Sequence, residues 1–494
     1  MKNLLKAVFK TGSGTAAVLF LGVVSTKIIA VVLGAWGIGI FSLLRQIRET
    51  SISLGTLNGN IALVQGVAVR KNLNERNVYI GTVFWMILLS GITVCCGFIY
   101  FAPQLAEVLL KRHDIQAVYL FRWFSLVIFL NALLVFCFGL LNAYCAIGYL
   151  ALVTVASALT TAYLAYPVAL IVAKNKNELA FVGMMSISST VSLATAIYFL
   201  WRGNWFVHLQ RAILCGIHLH AVQSFLKIAS ITFCSGLIAT GSLLAIRSLI
   251  AREKGIASIG IFDASWTLSM MYINFITKAF STYYLPTLSG ITDSNNRVRL
   301  MQKIFRLSTL LMIPMATTIV VLKPFVIHIL YSSEFTDSFY IMRWMLIGDY
   351  LKITSWVFAV PMLAYTNMRS YLYSEIIWHV FFLFGAYLSV IYLRSLEGIG
   401  ISFLIAYIFY LIFTIQYCRI RHNFSSTLPV VRHWMMGFVL LLTASLCSWE
   451  ATKINFVSAF FWIVAACFLS WRGCTKREKN YIKNCSQRLV SYVT

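Results

Sequence analysis

Along this chain, runs of some twenty apolar residues alternate with short polar breaks. The runs fall at 12–34, 42–67, 78–102, 117–142, 150–173, 178–200, 228–250, 261–285, 304–328, 341–364, 371–393, 398–418, 434–450 and 455–471. A helix needs ~20 mostly apolar residues to cross the hydrocarbon core, so this pattern predicts an all-α polytopic membrane protein with about fourteen transmembrane helices. The connections are too short to hold a separate catalytic domain, which places whatever the protein does within the membrane. The first run follows "MKNLLKAVFKTGSG" without a small-residue cleavage site and is expected to be a retained span rather than a signal peptide.

A short motif divides the chain. "GAWGIGIF" from Gly34 returns as "GIASIGIF" from Gly255, an offset of 221 that aligns Gly39 with Gly260 and Phe41 with Phe262. Each copy lies between the first two spans of its half. Six spans per half is an even number, so the halves are expected to share one orientation, as parallel transporter repeats do. The expected layout is an N-terminal six-helix lobe (1–200), a linker (201–227), a second six-helix lobe (228–420), an extra helix pair (434–471) and a basic tail (472–494). The linker mixes aromatic, histidine and basic residues and is expected to lie as an amphipathic helix on the inner leaflet.

Composition adds a charge question. Of 494 residues, 60% are hydrophobic and 11% charged, with a formal net charge of +25. In a soluble protein that excess would suggest nucleic acid; here topology explains it. With a cytoplasmic N-terminus, 23 of the 40 basic residues fall on inner segments and 8 on outer ones, including Lys453 outside and Lys476, Arg477, Lys483 and Arg488 in the tail. Both termini are therefore expected in the cytoplasm. The eleven cysteines show no CxxC or Cys/His zinc spacing, and His208, His218 and His220 make no ligand set, so no metal or cofactor is expected.

The remaining nine basic residues lie inside spans: Lys27, Arg45, Arg48, Arg122, Arg247, Lys278, Lys323, Arg343 and Lys352. Each costs about 2.5–3.5 kcal/mol near a helix centre unless it faces a bundle interior or water. For Arg122, Arg247, Lys323 and Arg343 the simpler expectation is snorkelling from near the span ends. Arg45, Glu49, Ser53, Thr56 and Asn60 are spaced as one polar stripe along the second span, with Arg45 and Glu49 able to pair at i,i+4 and Arg48 beside them. In the second half, Lys278 and the i,i+3 couple Asp349 and Lys352 have similar standing, and Glu375 with His379 is either a proton-linked pair or a structural one. Against nine cations stand Glu49, Asp263, Asp349 and Glu375, so the interior is expected to be net cationic. Such a cavity attracts anions, and phosphate groups above all.

The opening "VSTKIIAVVLGAWGIGIFSLLRQI", followed by "LNGNIALVQGVA", resembles the N-terminal signature of the Wzx-type oligosaccharide-lipid flippases of bacteria. These are members of the superfamily that includes the MATE drug exporters and the lipid II flippase. The matching positions are Lys27, the segment Gly34 to Gly39, and Arg45 with Gln46. The resemblance implies a MATE-like pair of six-helix bundles plus two C-terminal helices. It also implies a function, the transfer of an undecaprenyl-pyrophosphate-linked oligosaccharide from the cytoplasmic to the periplasmic leaflet of the bacterial inner membrane during surface polysaccharide (O-antigen-like) assembly. A polysaccharide polymerase is a further partner in that setting. The pyrophosphate would be drawn to Lys27, Arg45 and Arg48, whereas Arg48, Lys278 and Lys352 have no counterpart in the signature and rest on charge alone. Asp349 or Glu375 could couple a proton, or the membrane potential could drive the anion outward.

Three other readings stay in view. A cation-coupled MATE-like drug exporter calls for an acidic cavity. A membrane-embedded glycosyltransferase or polymerase calls for a large loop with paired acids, for which Glu334 and Asp337 are the nearest residues. A lipid II flippase differs only in cargo.

Overall fold

The computed structural model describes residues 2–291, 293–365, 367–448, 456–475 and 479. Lys453, Lys476, Arg477, Lys483, Arg488 and the side chain of His208 lie outside that description. All regular structure among the described residues is helical: α1 (Lys2–Gly55), α2 (Asn60–Val69), α3 (Leu73–Tyr100), α4 (Ala102–Leu110), α5 (Ile115–Ala143), α6 (Ile147–Asn175), α7 (Leu179–Arg202), α8 (Phe206–Leu214), α9 (Leu219–Lys254), α10 (Ile256–Ser289), α11 (Ser294–Leu330), α12 (Ser338–Ala364), α13 (Met368–Ile391), α14 (Glu397–His422), α15 (Leu428–Cys447) and α16 (Phe456–Gly473). Twelve of the described helices are long and apolar enough to cross a membrane, and Val457–Gly473 is a shorter apolar one. One of the twelve, α1, is two helical segments meeting at Gly34, so with the shorter Val457–Gly473 the described residues hold fourteen apolar helical segments, consistent with the expectation of about fourteen crossings.

Gly34 has φ 63° and ψ −156°, a conformation that a side chain would strain, and this single residue replaces the loop expected between the first two spans. The break frees the Ala35 N–H, which donates to Glu334 Oε2 at 3.0 Å, so a distant carboxylate caps the second segment. The aligned Gly255 adopts φ 85° where α9 ends and α10 begins. The two motif copies thus share a backbone break as well as letters.

They also pack reciprocally. A Cβ on Gly39 would sit 2.0 Å from the Ile256 carbonyl oxygen, and one on Gly260 would sit 2.0 Å from that of Ala35. Ile256 is Ala35 plus 221, so the contact is the same on both sides of a local pseudo-twofold. Small residues permit this backbone approach in a membrane, where helix association relies on close packing.

Other local expectations are corrected. The second span stops at Gly55, and a turn through Leu57 and Asn58, both left-handed (φ 51° and 49°), leads to Asn60 at the start of α2. The turn is held from outside, Asn58 Nδ2 donating to the Thr232 carbonyl at 2.9 Å. The stripe from Arg45 to Asn60 is therefore not one helix face. The segment 201–227 holds the end of α7, the nine-residue helix α8 and, in its last third, the start of α9.

Contacts divide the chain into two compact units, residues 1–263 with 330–334, and 264–329 with 335–494. In the first, α1 packs on α6 and α9, and α5 and α6 both pack on α7. Tyr79, Phe136, Phe199 and Phe225 anchor its apolar core. In the second, α12 is buried along nearly its whole length and packs on α13, α14 and α15.

Candidate functional site

Within the first unit, α1, α5, α6 and α7 line an open cavity of 360 Å³. Helix α1 contributes Ser25 and Thr26 from before the Gly34 break, and Arg45 and Arg48 from after it. The break turns the chain so that one helix lines the cavity twice. Facing them are hydroxyls of α6 and α7, including Ser157, Thr161 and Ser188, which bond to one another at 3.0–3.1 Å. Both charged residues among the described lining are arginines.

Behind the cavity wall lies a buried ionic network. Asp263, 6% exposed in its side chain, accepts from Arg247 Nη2 at 2.7 Å and from Arg45 Nη2 at 3.1 and 3.3 Å. Arg247, 2% exposed, also donates to Gln46 Oε1 at 2.8 Å, and Gln46 in turn donates to the Thr240 carbonyl. Arg45 differs in being 36% exposed. One carboxylate thus meets two guanidiniums, and the surplus charge reaches the cavity through Arg45.

Lys27 donates to the Tyr331 carbonyl and is not part of the cavity lining. Arg48 donates to Glu49 Oε1 at 3.0 Å; Glu49 is exposed and lies off the cavity. Asn60 is half-buried on α2 with its Oδ1 enclosed beside Gly139.

The second unit holds a separate polar cluster. Asp349 is fully buried and accepts from Ser269 at 2.9 Å and from Tyr272 at 2.7 Å. Lys352 lies over the rings of Phe403 and Tyr407, 5.7 and 5.6 Å from their centroids, with its ammonium 3.1 Å from the Met270 sulfur. Glu375 accepts from Tyr410 at 3.2 Å and stands 3.8 Å from His379. Lys278 is exposed on α10.

A family model described as "Polysaccharide biosynthesis protein" matches residues 51–340, more than half of the chain. The chain belongs to that family. Among curated proteins it is similar to the lipid III flippases of Escherichia coli K12 and Shigella flexneri. Each is 27% identical over 383 residues, which is 76% of this chain and 88% of the relative. Among solved structures, a lipid II flippase in an inward closed conformation superposes with a TM-score of 0.71 over 97% of this chain and all of that one, at 12% identity. An inward-facing multidrug resistance MATE family transporter superposes with a TM-score of 0.68 over 82% of this chain and 94% of that one, at 14% identity. The expected MATE-like fold is therefore the observed one.

In this chain several charge pairings differ from those read along single helices. Arg45 pairs with Asp263 rather than with Glu49, because Asp263 offers a buried carboxylate while Glu49 points outward. Arg247 and Lys323 are not snorkelling: both are buried, and Lys323 donates to the Ser448 carbonyl at 2.6 Å. Arg343 is likewise buried and pairs with Glu397, whereas Arg122 is exposed. Asp349 takes its hydrogen bonds from hydroxyls on α10 instead of from Lys352 one turn along its own helix. The residues that helix periodicity missed are Asp263 and Arg247. One signal pointed to Asp263: it directly follows the repeated motif, three residues after Gly260, whose close approach the motif marks.

Proposed function

We propose that this chain is a flippase that carries an undecaprenyl-pyrophosphate-linked oligosaccharide from the cytoplasmic to the periplasmic leaflet of a bacterial inner membrane. The observation that carries this reading is the cavity with two arginines and no acid among its described lining residues. Membership of a polysaccharide biosynthesis family and the name of the lipid III flippase relatives support a lipid-linked saccharide as cargo.

In this reading Arg45 and Arg48 hold the pyrophosphate by charge-assisted bonds, and the serine and threonine wall of α6 and α7 faces the first sugar. The polyprenyl tail stays in lipid. Lys27 adds positive potential within the first unit, with Glu49 and Asn60 near the cavity's margin, Lys278 and Lys352 add it within the second, and the site opens alternately to the two sides. Asp349 or Glu375 serves as the coupling acid. Both termini are cytoplasmic, as the distribution of basic residues favours. An exporter of organic cations is disfavoured, since its substrates would meet like charge in this cavity.

The test is transbilayer movement of labelled undecaprenyl-pyrophosphate oligosaccharides in proteoliposomes, with lipid II in the same panel. A charged hydrogen bond contributes about 1.5–3 kcal/mol, so Arg45→Ala should slow movement at least about tenfold, whereas Lys174→Ala, at an exposed position in the last turn of α6, should match the native chain. Export of organic cations without movement of any such lipid would overturn the reading.

A further inference from the structure

We infer that Asp263 is a displaceable counter-ion: an anion entering the cavity takes Arg45 from it, while Arg247 keeps the carboxylate neutralised. This rests on the reading of the cavity as an anion site. The geometry is asymmetric in the way such an exchange needs. Arg247 is almost fully buried, sits 2.7 Å from Asp263 Oδ1 and is fixed by a second bond to Gln46. Arg45 makes the longer contacts, 3.1 and 3.3 Å, and is the network member that lines the cavity. When Arg45 turns to a ligand, Asp263 still has Arg247, so no buried charge is stranded. Without Arg247, the carboxylate would have to hold Arg45 or stay buried with one cation fewer.

The repeat underlines the point. The position aligned with Asp263 in the first copy is Ser42, which donates to the Gly39 carbonyl at 3.1 Å, and the position aligned with Arg45 in the second copy is Trp266. The backbone crossing is duplicated but the exchangeable ion pair occurs on one side of it.

Positioning residues of this kind have a signature that a purely structural role lacks: two variants should move affinity in opposite directions. The test uses the purified full-length protein in detergent with farnesyl pyrophosphate as the probe, and measures equilibrium binding. In Arg247→Met, Asp263 loses its closer guanidinium and competes harder with the probe for Arg45, so binding should weaken about tenfold. In the double variant Arg247→Met/Asp263→Asn, which removes the buried pair together, Arg45 has no competitor and binding should be about tenfold tighter than native, or 1.4 kcal/mol. Inorganic pyrophosphate, run in parallel, should follow the same order if the phosphates are what Arg45 grips. A double variant that binds no more tightly than native, or an Arg247→Met protein with native affinity, overturns the inference. Native binding that Arg45→Ala abolishes would leave the anion site standing in that case. No binding by the native chain overturns both.

Discussion

The reciprocal approach of Gly39 and Gly260 makes a quantitative prediction. A Cβ at either position would lie 2.0 Å from a carbonyl oxygen of the facing helix, more than an ångström inside ordinary contact distance. The obstacle is backbone, not a flexible side-chain end, so a Gly→Ala substitution must push the helices apart. Overpacking of this sort costs about 1–3 kcal/mol, enough to outweigh the gain of up to ~1 kcal/mol that alanine brings to a helix interior. Gly97 on α3, where an added Cβ would meet nothing within 4 Å, isolates that second term and should be neutral or slightly stabilised by alanine. The assay is the midpoint of heat-induced loss of monodisperse protein in detergent. Gly39→Ala and Gly260→Ala should each lower it and Gly97→Ala should not. Because one displacement relieves both clashes, the double variant should lose less than the sum of the two singles. Additive losses, or either single variant matching native, would refute the reciprocal crossing. The crossing also sets the level at which Asp263 meets Arg45, so the same variants should weaken probe binding.

Further outcomes can be checked with the same preparation. Glu334→Ala removes the cap on the Ala35 N–H and should cost about 0.5–2 kcal/mol, seen as a lower unfolding midpoint. Lys323→Met exchanges a buried ammonium, bonded to a carbonyl, for an apolar side chain of similar length, and should leave the midpoint unchanged or raise it. At the start of α5, Arg112 bonds to Asp114 and holds its carboxyl below the usual range. A depressed folded-state value means the contribution is present above the unfolded value and is lost as pH falls through the folded one. The native midpoint should therefore drop on acidification through that range, and Arg112→Ala should flatten that part of the profile.

The sequence by itself determined the all-helical membrane class and about how many helices could cross, because both depend on residues near one another in the chain. Apolar run length decides whether a helix can span, and the positive φ at Gly34 and Gly255 requires the residue that allows it. It also singled out Arg45 and Arg48, the two charged residues among the described lining of the cavity. Which charge meets which was decided by tertiary structure. Periodicity assigned Arg45 to Glu49, four residues away, and Asp349 to Lys352, three away, because those are the neighbours a helix guarantees. The actual partner of Arg45 is 218 residues distant, and the partners of Asp349 are on α10. A buried carboxylate is satisfied by whatever donors the helix crossing presents, and that rotation and depth follow from contacts such as Gly39 against Ile256, which no single helix encodes.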